Sequence, residues 1–462
     1  MRVISNEQTN PLLTGWQPSK IAELNLEAYA GLNSFWYVSG KKDFDSQVAE
    51  KFSHFKKSLE QMKLKGLNRR TFLRNVGLAT VAHVVGCTKV IPELAALTTN
   101  ANNNSTTTNA GSDILKNKLP KWKGFNIPDF FQPDPEYVGA PTGEEYFKWV
   151  ADWGFDFIRM PVAYPNYLKI APHQKNINSD DVYKIDESRV NQIEKTIYLA
   201  QKYNLHVSLN LHRAPGYCVS NGYNEPYNLW KEKNAQDAFT YHWSFWAKRF
   251  KNVSTSKISF DLVNEPCYRE NVNDSNSKTT AVPATTYHTV AKAATDAIRK
   301  VNPNFYVIAE GNLGEAAPEL ADLNIGQSCR GYYPFEISHY KAPWVYPDPA
   351  YQPTPLWPGN IGGKYYNREV MSAYYKPWLD LVKKGVGVHC GECGAWKATP
   401  HNVFLAWFGD VLDILTTNGI GFALWELKGD FGILNSNRSD VQYEDWYGHK
   451  LDRKLLKLLQ SK

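Results

Sequence analysis

The sequence lacks several patterns that mark common classes of protein. Its 462 residues carry a formal net charge of only +6, and no basic patch with interleaved aromatic residues stands out, which argues against a nucleic-acid partner. None of its 11 histidines forms a His-x-His pair, whereas a metal-dependent barrel hydrolase usually has one at a strand end. No glycine-rich phosphate-binding motif follows the first predicted strand, so a dinucleotide-binding open sheet is disfavoured.

Cysteine is scarce as well, with six residues in the chain. Their spacing contains no repeated zinc-binding pattern. Cys390 and Cys393 have the CxxC spacing of redox pairs. They lie at a strand end rather than at a helix start and have no second pair, so we interpret them as packing residues. A disulfide between Cys218 and Cys267 is left open by the sequence.

Aromatic residues, by contrast, are abundant. They make up 14% of the chain, with 15 Trp and 27 Tyr. Aromatic rings stack on the apolar faces of sugars, but they also fill hydrophobic cores. Composition alone is therefore only a hint of a carbohydrate ligand.

The chain divides into four segments by composition and pattern. Residues 1–61 show no recognisable chemistry, and whether they are translated is left open. Residues 62–87 resemble an export signal. Residues 88–115, rich in Thr and Asn, predict a flexible linker because they cannot bury enough apolar surface to fold. Residues 116–462 are the predicted catalytic domain.

The export signal has the pattern of a twin-arginine signal. Arg69 and Arg70 precede an apolar run at 76–85 that is too short to span a bilayer. The run ends at Cys87 in a pattern that resembles a lipoprotein lipobox, so Cys87 is a candidate for lipidation. A translation start at Met62 would put the arginines where such signals normally have them. We therefore expect an exported protein with a possible lipid anchor.

From residue 121 the hydrophobic pattern alternates between strands and helices, which predicts a parallel sheet. The predicted strands are 122–127, 155–162, 206–211, 258–264, 305–310, 334–339, 387–392 and 421–425. The predicted helices are 143–153, 187–203, 235–250, 283–301, 369–384, 402–417 and 451–459. Eight strands with interleaved helices over about 345 residues predict a (β/α)8 TIM barrel of the α/β class. A doubly wound open sheet is the less favoured alternative.

Polar residues cluster at the carboxyl ends of these predicted strands, which is where the active site of a barrel enzyme lies. They include Asn126, Arg159, His212, Arg213, Asn264, Glu265, His339 and Glu392, with Trp425 beside them. Glu265 follows one buried strand between an asparagine and a proline, and Glu392 ends another. Two glutamates placed in this way predict the paired carboxylates of glycoside hydrolysis.

The two glutamates suit different tasks. A neighbouring carboxylate and partial burial would raise the pKa of Glu265, so that it could protonate the leaving oxygen. Asn264 would then hydrogen-bond the sugar 2-hydroxyl. Glu392 suits the nucleophile, with Arg159 as the cation that keeps it ionised, although Arg159 could instead form a structural ion pair.

Three other residues are candidates for substrate binding. His212 and His339 could orient the glutamates or bind sugar hydroxyls, or they could be ordinary buried polar residues. Trp425 offers a flat face for the sugar at the cleavage point, although a core tryptophan fits the same pattern.

The ordered set of motifs resembles glycoside hydrolase family 5, also known as cellulase family A. The motifs are Ile158-Arg159-Met160-Pro161-Val162, Leu211-His212, Val263-Asn264-Glu265-Pro266, His339-Tyr340, Gly391-Glu392 and Ala423-Leu424-Trp425. The resemblance implies retention of anomeric configuration, with Glu265 as acid/base, Glu392 as nucleophile and no metal or other cofactor. It also implies that the subsite at the cleaved bond is lined by Arg159, His212, Asn264, His339 and Trp425.

One motif departs from the family pattern. The family commonly has His-x-Tyr on strand six, with the tyrosine touching the nucleophile, whereas here His339 is followed directly by Tyr340 and Lys341. Either Tyr340 serves after a small local shift, or Lys341 replaces it and favours an ionised Glu392 by charge.

The resemblance implies a β-glycan substrate, and β-1,4-glucan is favoured because it is the commonest theme of the family. A mannanase or other β-glycanase of the same family and a non-catalytic carbohydrate-binding barrel are the alternatives. The aromatic segments 217–230 and 344–366 are expected to form the cleft walls, and a monomer is expected.

Overall fold

A computed structural model of the protein describes residues 118–132, 141–171, 174–219, 224–274, 276–346, 348, 350 and 352–462. The interpretations of residues 1–61, of the export signal with Cys87 and of the linker at 88–115 therefore lie outside the described residues. Among the helices that are described, none is both long enough and apolar enough to cross a bilayer.

Eight parallel strands close into a barrel in which each strand pairs with its neighbours in the chain and β1 pairs with β8. The strands are β1 Lys123–Asn126, β2 Phe157–Ala163, β3 His206–Arg213, β4 Ile258–Asp261, β5 Tyr306–Glu310, β6 Gly326–Gly331, β7 Val388–Cys393 and β8 Gly421–Leu424. Their residues are almost all buried, as expected for strands with helices on the outside and packed side chains inside. The predicted (β/α)8 barrel is confirmed.

Helices follow the strands, and all of those named here except α5 lie close to where the sequence predicted them. They are α1 Glu144–Asp152, α2 Glu187–Lys202, α3 Lys233–Arg249, α4 Ala284–Val301, α5 Phe335–Ser338, α6 Arg368–Lys383, α7 His401–Thr417 and α8 Arg453–Gln460. Capping side chains begin α2, α6 and α8, where Asp186, Asn367 and Asp452 accept hydrogen bonds from backbone amides in the first turn. A 3₁₀ helix, Pro318–Leu323, joins β5 to β6.

The prediction for the sixth strand is wrong. It was placed at 334–339, but Phe335–Ser338 is the short helix α5, and β6 runs over Gly326–Gly331. The sequence of β6 is Gly-Gln-Ser-Cys-Arg-Gly, and all six residues are buried. It therefore shows neither the apolar run nor the alternating pattern by which strands are recognised in a sequence.

The amino-terminal end of the barrel is closed by a small cluster, here called the plug. Its apolar members are Leu119, Trp122, Phe157, Ile308 and Ala423. The ring of His206 stacks on Trp122, with 4.0 Å between the ring centroids, and a second histidine, His389, lies 4.6 Å from Phe157. Aromatic and aliphatic packing thus seals the end of the barrel opposite to the predicted site.

Candidate active site

The two glutamates lie at the carboxyl end of the barrel. Strand β4 ends at Asp261, earlier than predicted, and Glu265 follows it in the β4–α4 connection. Glu392 lies within β7, where the pairing with β6 shifts register between Cys390 and Glu392. Such bulges re-aim side chains and are frequent next to active sites.

Gly391 lies at this bulge because a side chain would not fit there. A Cβ atom at Gly391 would approach Ser328 Oγ to 2.4 Å and Arg330 Nη1 to 3.3 Å. The carbonyl of Gly391 accepts a hydrogen bond from Asn126 Nδ2 at 3.0 Å. The glycine therefore lets the side chain of Arg330 pass close to the strand that carries Glu392.

Arg159 lies in the middle of β2, and its guanidinium is buried below the two glutamates. Its hydrogen bonds go to Asp261 Oδ2 at 2.9 Å, Asn126 Oδ1 at 3.0 Å, Glu392 Oε1 at 2.7 Å, Asn264 Oδ1 at 2.9 Å and Glu310 Oε1 at 2.6 Å. Both interpretations of Arg159 thus apply, because it contacts the predicted nucleophile and is also paired with structural carboxylates.

Arg330, on β6, is a second buried arginine and touches both glutamates. Its Nε donates to Glu265 Oε1 at 3.0 Å, and its Nη2 lies 3.3 Å from Glu392 Oε1. The same Nη2 bonds to Asn264 Oδ1 at 2.9 Å and to Glu310 Oε2. One guanidinium therefore bridges the predicted acid/base and the predicted nucleophile.

Glu265 is held in an unusual backbone conformation, with φ at +45°. Its amide donates to Glu310 Oε2 at 2.6 Å, and its carbonyl accepts from the Tyr217 hydroxyl at 2.5 Å. The side chain keeps 39% of its surface accessible, so a substrate can reach it. The surrounding protein still removes water from around the carboxyl, despite the accessible part of the side chain, and this desolvation raises its pKa. The charge of Arg330 opposes the effect, but the pKa stays above its usual value.

Tyr332, just after β6, donates its hydroxyl to Glu392 Oε2 at 3.2 Å. Burial and the charge of Glu392 raise the pKa of Tyr332 well above its usual value, so the hydroxyl stays a donor. The hydroxyl of Tyr340 instead lies 3.3 Å from Thr354 Oγ1, and Lys341 Nζ lies over the Tyr340 ring. The contact with Glu392 that either Tyr340 or Lys341 was expected to supply is therefore made by Tyr332.

Trp425, His212 and Phe131 form an aromatic group at the carboxyl ends of β8, β3 and β1. The rings of His212 and Trp425 are stacked at 5.6 Å, and Phe131 meets each of them edge-on at 5.4 Å. Burial, followed by the charge of Arg159, lowers the pKa of His212 to about 3. His212 is thus a neutral ring that supports the face of Trp425.

His339 follows α5 and is not at a strand end, which corrects its predicted position. It lies 5.1 Å from Tyr332, and its Nδ1 is 2.9 Å from Ser338 Oγ. Burial lowers its pKa to about 4, so it is also neutral at physiological pH. His339 therefore packs beside the tyrosine that contacts Glu392.

Aromatic rings that range from the buried Phe431 to the exposed Trp344 continue outward from His339 and are here called the aromatic wall. Its members are Phe335, Trp344, Trp396 and Phe431, which contact His339 or one another at centroid distances of 4.6 to 6.2 Å. Trp344 is 58% exposed and Phe335 is 50% exposed. A wall of this kind next to paired carboxylates offers apolar faces on which sugar rings can stack.

Residues 107–430 match the family model of cellulase, glycosyl hydrolase family 5. The chain belongs to glycoside hydrolase family 5. Endoglucanase C of Acetivibrio thermocellus is 28% identical over 337 residues, which cover 67% of this chain and 91% of that protein. Cellodextrinase A of Ruminococcus flavefaciens is 25% identical over 288 residues, covering 60% and 76% of the two chains. A crystal structure of a glycoside hydrolase is similar with a TM-score of 0.64 and 35% identity, over 74% of this chain and 99% of that one.

Membership of family 5 makes the protein an O-glycosyl hydrolase of the cellulase type. The site described above has the parts that such chemistry needs, which are two carboxylates near each other, cations beside them and an aromatic surface. The departure at Tyr340 and Lys341 carries no weight against this activity, since Tyr332 occupies the expected place beside Glu392.

The cysteines of the family 5 domain are buried thiols. Cys390 and Cys393 lie in β7, with their sulphurs against the carbonyls of Glu392 and Ala423. Cys218 and Cys267 are not joined by a disulfide in this structure. Within the residues that the structure describes, no three His, Cys, Asp or Glu side chains are grouped as metal ligands would be.

Three site residues were missed by the sequence analysis: Glu310, Arg330 and Tyr332. Glu310 ends a predicted strand, as Glu392 does, so the same criterion could have selected it. Arg330 and Tyr332 have the i, i+2 spacing of the family motif, with arginine in place of histidine. They were missed because strand six was placed after them.

Proposed function

We propose that this family 5 enzyme hydrolyses β-1,4-glucan by a retaining double displacement. The observation that carries the proposal is the single Arg330 guanidinium bonded to both Glu265 and Glu392, because it brings the two carboxylates to the same small volume. Relatives that are named endoglucanase and cellodextrinase support a β-glucan as the substrate.

In the first step, Glu392 attacks the anomeric carbon while Glu265 donates its proton to the leaving glycosidic oxygen. This forms a glycosyl ester on Glu392 and releases the first sugar product. In the second step, Glu265 takes a proton from water, whose oxygen attacks the anomeric carbon and releases Glu392. Each glutamate returns to its initial protonation state, and the configuration is inverted twice and therefore retained.

Substrate binding is assigned to the groups around these carboxylates. Asn264 Oδ1 accepts from both arginines, so its amide nitrogen is the group that we assign to the sugar 2-hydroxyl. The Trp425 face, backed by His212, suits the sugar at the cleavage point. The aromatic wall suits further sugars of a polymer chain, which favours a polysaccharide over a small glycoside.

The proposal is tested by a reducing-sugar assay of the 116–462 domain on cellulose, mixed-linkage glucan, xyloglucan, xylan and mannan. We expect the β-1,4-glucans to be cleaved. NMR of the reaction should show that the β-anomer of the product is released first. Faster cleavage of mannan would overturn the choice of glucan and favour the mannanase alternative. Release of the α-anomer would contradict the retaining mechanism.

We also propose that the enzyme is exported through its twin-arginine pattern, acts as a monomer and is anchored through a lipid on Cys87. Changing Arg69 and Arg70 to lysine should keep the enzyme in the cytoplasm, since the export machinery reads the arginine pair. Palmitate labelling that disappears in Cys87→Ala supports the anchor. Export of the lysine variant, or equal labelling of Cys87→Ala, would contradict the corresponding part.

A further inference from the structure

Glu310, the last residue of β5, is a buried carboxylate that the proposed mechanism does not use. Only 1% of its side chain is exposed, so it is screened from water and from a substrate in the cleft. A buried carboxylate is costly unless charged or hydrogen-bonding groups pair with it. Its partners therefore indicate what its charge does.

The two oxygens of Glu310 face different partners. Oε1 accepts from Arg159 Nη2 at 2.6 Å. Oε2 accepts from Arg330 Nη2 and, at 2.6 Å, from the backbone amide of Glu265. One carboxylate thus joins both buried arginines to the peptide group of the acid/base residue.

The arginines create a problem for acid catalysis that Glu310 offsets. The charged and titratable groups that face Glu265 are Arg330, Glu392, Glu310, Tyr217, Cys267 and Tyr332. Arg330, bonded directly to the Glu265 carboxyl, favours its ionised form, and an ionised Glu265 cannot protonate a leaving group. Negative charge on Glu310, which accepts a hydrogen bond from Nη2 of the same guanidinium, opposes that effect.

The titration behaviour of the two carboxyls agrees with this geometry. Burial alone would raise the pKa of Glu310, but Arg330 and Arg159 outweigh it and hold the pKa below its usual value. Burial raises the pKa of Glu265, and Glu310 contributes in the same direction. Glu310 is therefore ionised over a pH range in which Glu265 keeps its proton.

We propose that Glu310 is a positioning residue for the acid/base: it fixes the Glu265 amide and supplies the negative charge that lets Glu265 stay protonated beside Arg330. This inference rests on the proposed function, because it takes Glu265 as the proton donor. Glu310 contacts Glu265, Arg159 and Arg330 and acts through them.

The test is the pH profile of kcat/KM for Glu310→Gln, whose alkaline limb reports the acid/base in the free enzyme. Removing the negative charge leaves Arg330 and Arg159 less compensated, so the limb should move to lower pH by about 0.5 to 1 unit. Glu310→Asp, which keeps the charge, should return the alkaline limb most of the way to that of the unmodified enzyme. An unchanged limb in a folded Glu310→Gln protein overturns the inference.

Glu225→Gln is the matched control, since Glu225 is also a buried carboxylate in an ion pair. Its oxygens accept from Arg213 Nε at 2.8 Å, the Tyr164 hydroxyl at 2.6 Å and the Gly216 amide at 2.9 Å. This variant should lose stability without moving the alkaline limb. An equal shift in both variants would show a general structural effect and overturn the inference.

A second pair of variants covers the case in which Glu310→Gln does not fold. Arg330→Gln removes the cation beside Glu265 and should move the alkaline limb to higher pH, whereas Arg330→Gln/Glu310→Gln should return it towards that of the unmodified enzyme. Identical limbs in these two variants would overturn the inference. Inactivity of the unmodified enzyme on every β-glycan would instead reject the proposed function, so the two failures are distinguishable.

Discussion

The two ends of the barrel both contain buried polar side chains, but those at one end are neutral and those at the other are charged. At the amino-terminal end, the plug holds His206 and His389 among aromatic rings, and burial lowers their pKa values to about 4 and about 3. Both histidines are therefore neutral. At the carboxyl-terminal end, Arg159 and Arg330 are buried as cations among carboxylates.

The difference shows which end of the fold serves stability and which serves chemistry. Neutral rings in the plug gain from burial, because apolar area is removed from water without a buried charge. The buried ion pairs at the other end contribute much less to stability, because the cost of desolvating the charges cancels most of their attraction. That end is retained for what it does to Glu265 and Glu392. The following predictions test this division.

The largest effect is expected at the carboxyl end. Glu392→Ala should lower turnover on every substrate by at least about 10⁴-fold, because no glycosyl ester can form. Added azide should occupy the vacated space and yield a glycosyl azide of inverted configuration, detected by NMR.

Glu265→Ala is the partner variant for that measurement. Its turnover should fall strongly on natural glycans and less on aryl glycosides, whose leaving groups need little protonation. Added azide should give the glycosyl azide of retained configuration. The opposite pattern in the two variants would reverse the assigned roles.

The plug should respond in stability alone. Trp122→Ala removes a ring that is 95% buried, since 5% is exposed, and should lower the free energy of unfolding by about 3–5 kcal/mol in urea titrations. Its kcat should be unchanged at a temperature at which the variant is folded. Trp425→Ala is the control at the other end of the barrel. It should abolish activity and change the free energy of unfolding little. A fall in kcat for Trp122→Ala comparable to that of Trp425→Ala would break the division.

Tyr332→Phe and Tyr340→Phe form a matched pair, with one tyrosine before α5 and the other after it. The first removes the 3.2 Å hydrogen bond to Glu392 and should lower kcat by about 10-fold to 100-fold, the usual cost of a hydrogen bond to a charged group. The second removes only a contact with Thr354 and should leave kcat within about 2-fold. Equal losses would contradict the assignment of the Glu392 contact to Tyr332 alone.

The smallest effect concerns the pH dependence of the plug. His206 titrates near 6.5 when unfolded and at about 4 when folded, so between these values only the unfolded chain binds the proton. The free energy of unfolding should therefore fall as the pH falls, by about 1.6 kcal/mol from pH 6.5 to 5 for this group. His206→Phe should reduce that slope in urea titrations at pH 7, 6 and 5. An identical slope would contradict the neutral state of His206.

The sequence predicted most of the barrel because its strands and helices have strong hydrophobic patterns. It failed at β6, where a buried strand is made of glycine, amide, hydroxyl, thiol and guanidinium groups. Gln327 shows why such a strand is stable: its amide exchanges hydrogen bonds with both backbone groups of Ala317. Pairing of this kind depends on tertiary contacts, which a local pattern does not contain.

The site was predictable in its reacting groups but not in the cations around them. Glu265 and Glu392 each have a local signal at a strand end, and so does Glu310. Arg330 is bonded to residues 65 and 62 positions away, Glu265 and Glu392, and only the closed barrel brings them together. Sequence spacing alone therefore reveals the carboxylates before it reveals what tunes them.

The left-handed backbone at Glu265 has a consequence for engineering. For a residue with a Cβ atom, that conformation costs about 1–2 kcal/mol of stability, whereas for glycine it costs almost none. Hydrogen bonds from the Glu265 amide to Glu310 and from Tyr217 to its carbonyl maintain it. Glycine is therefore the residue that the backbone at this position favours, and a directed-evolution campaign that selects for heat resistance alone would tend to discard the proton donor. Any thermostabilisation screen of this enzyme needs catalysis as its second criterion.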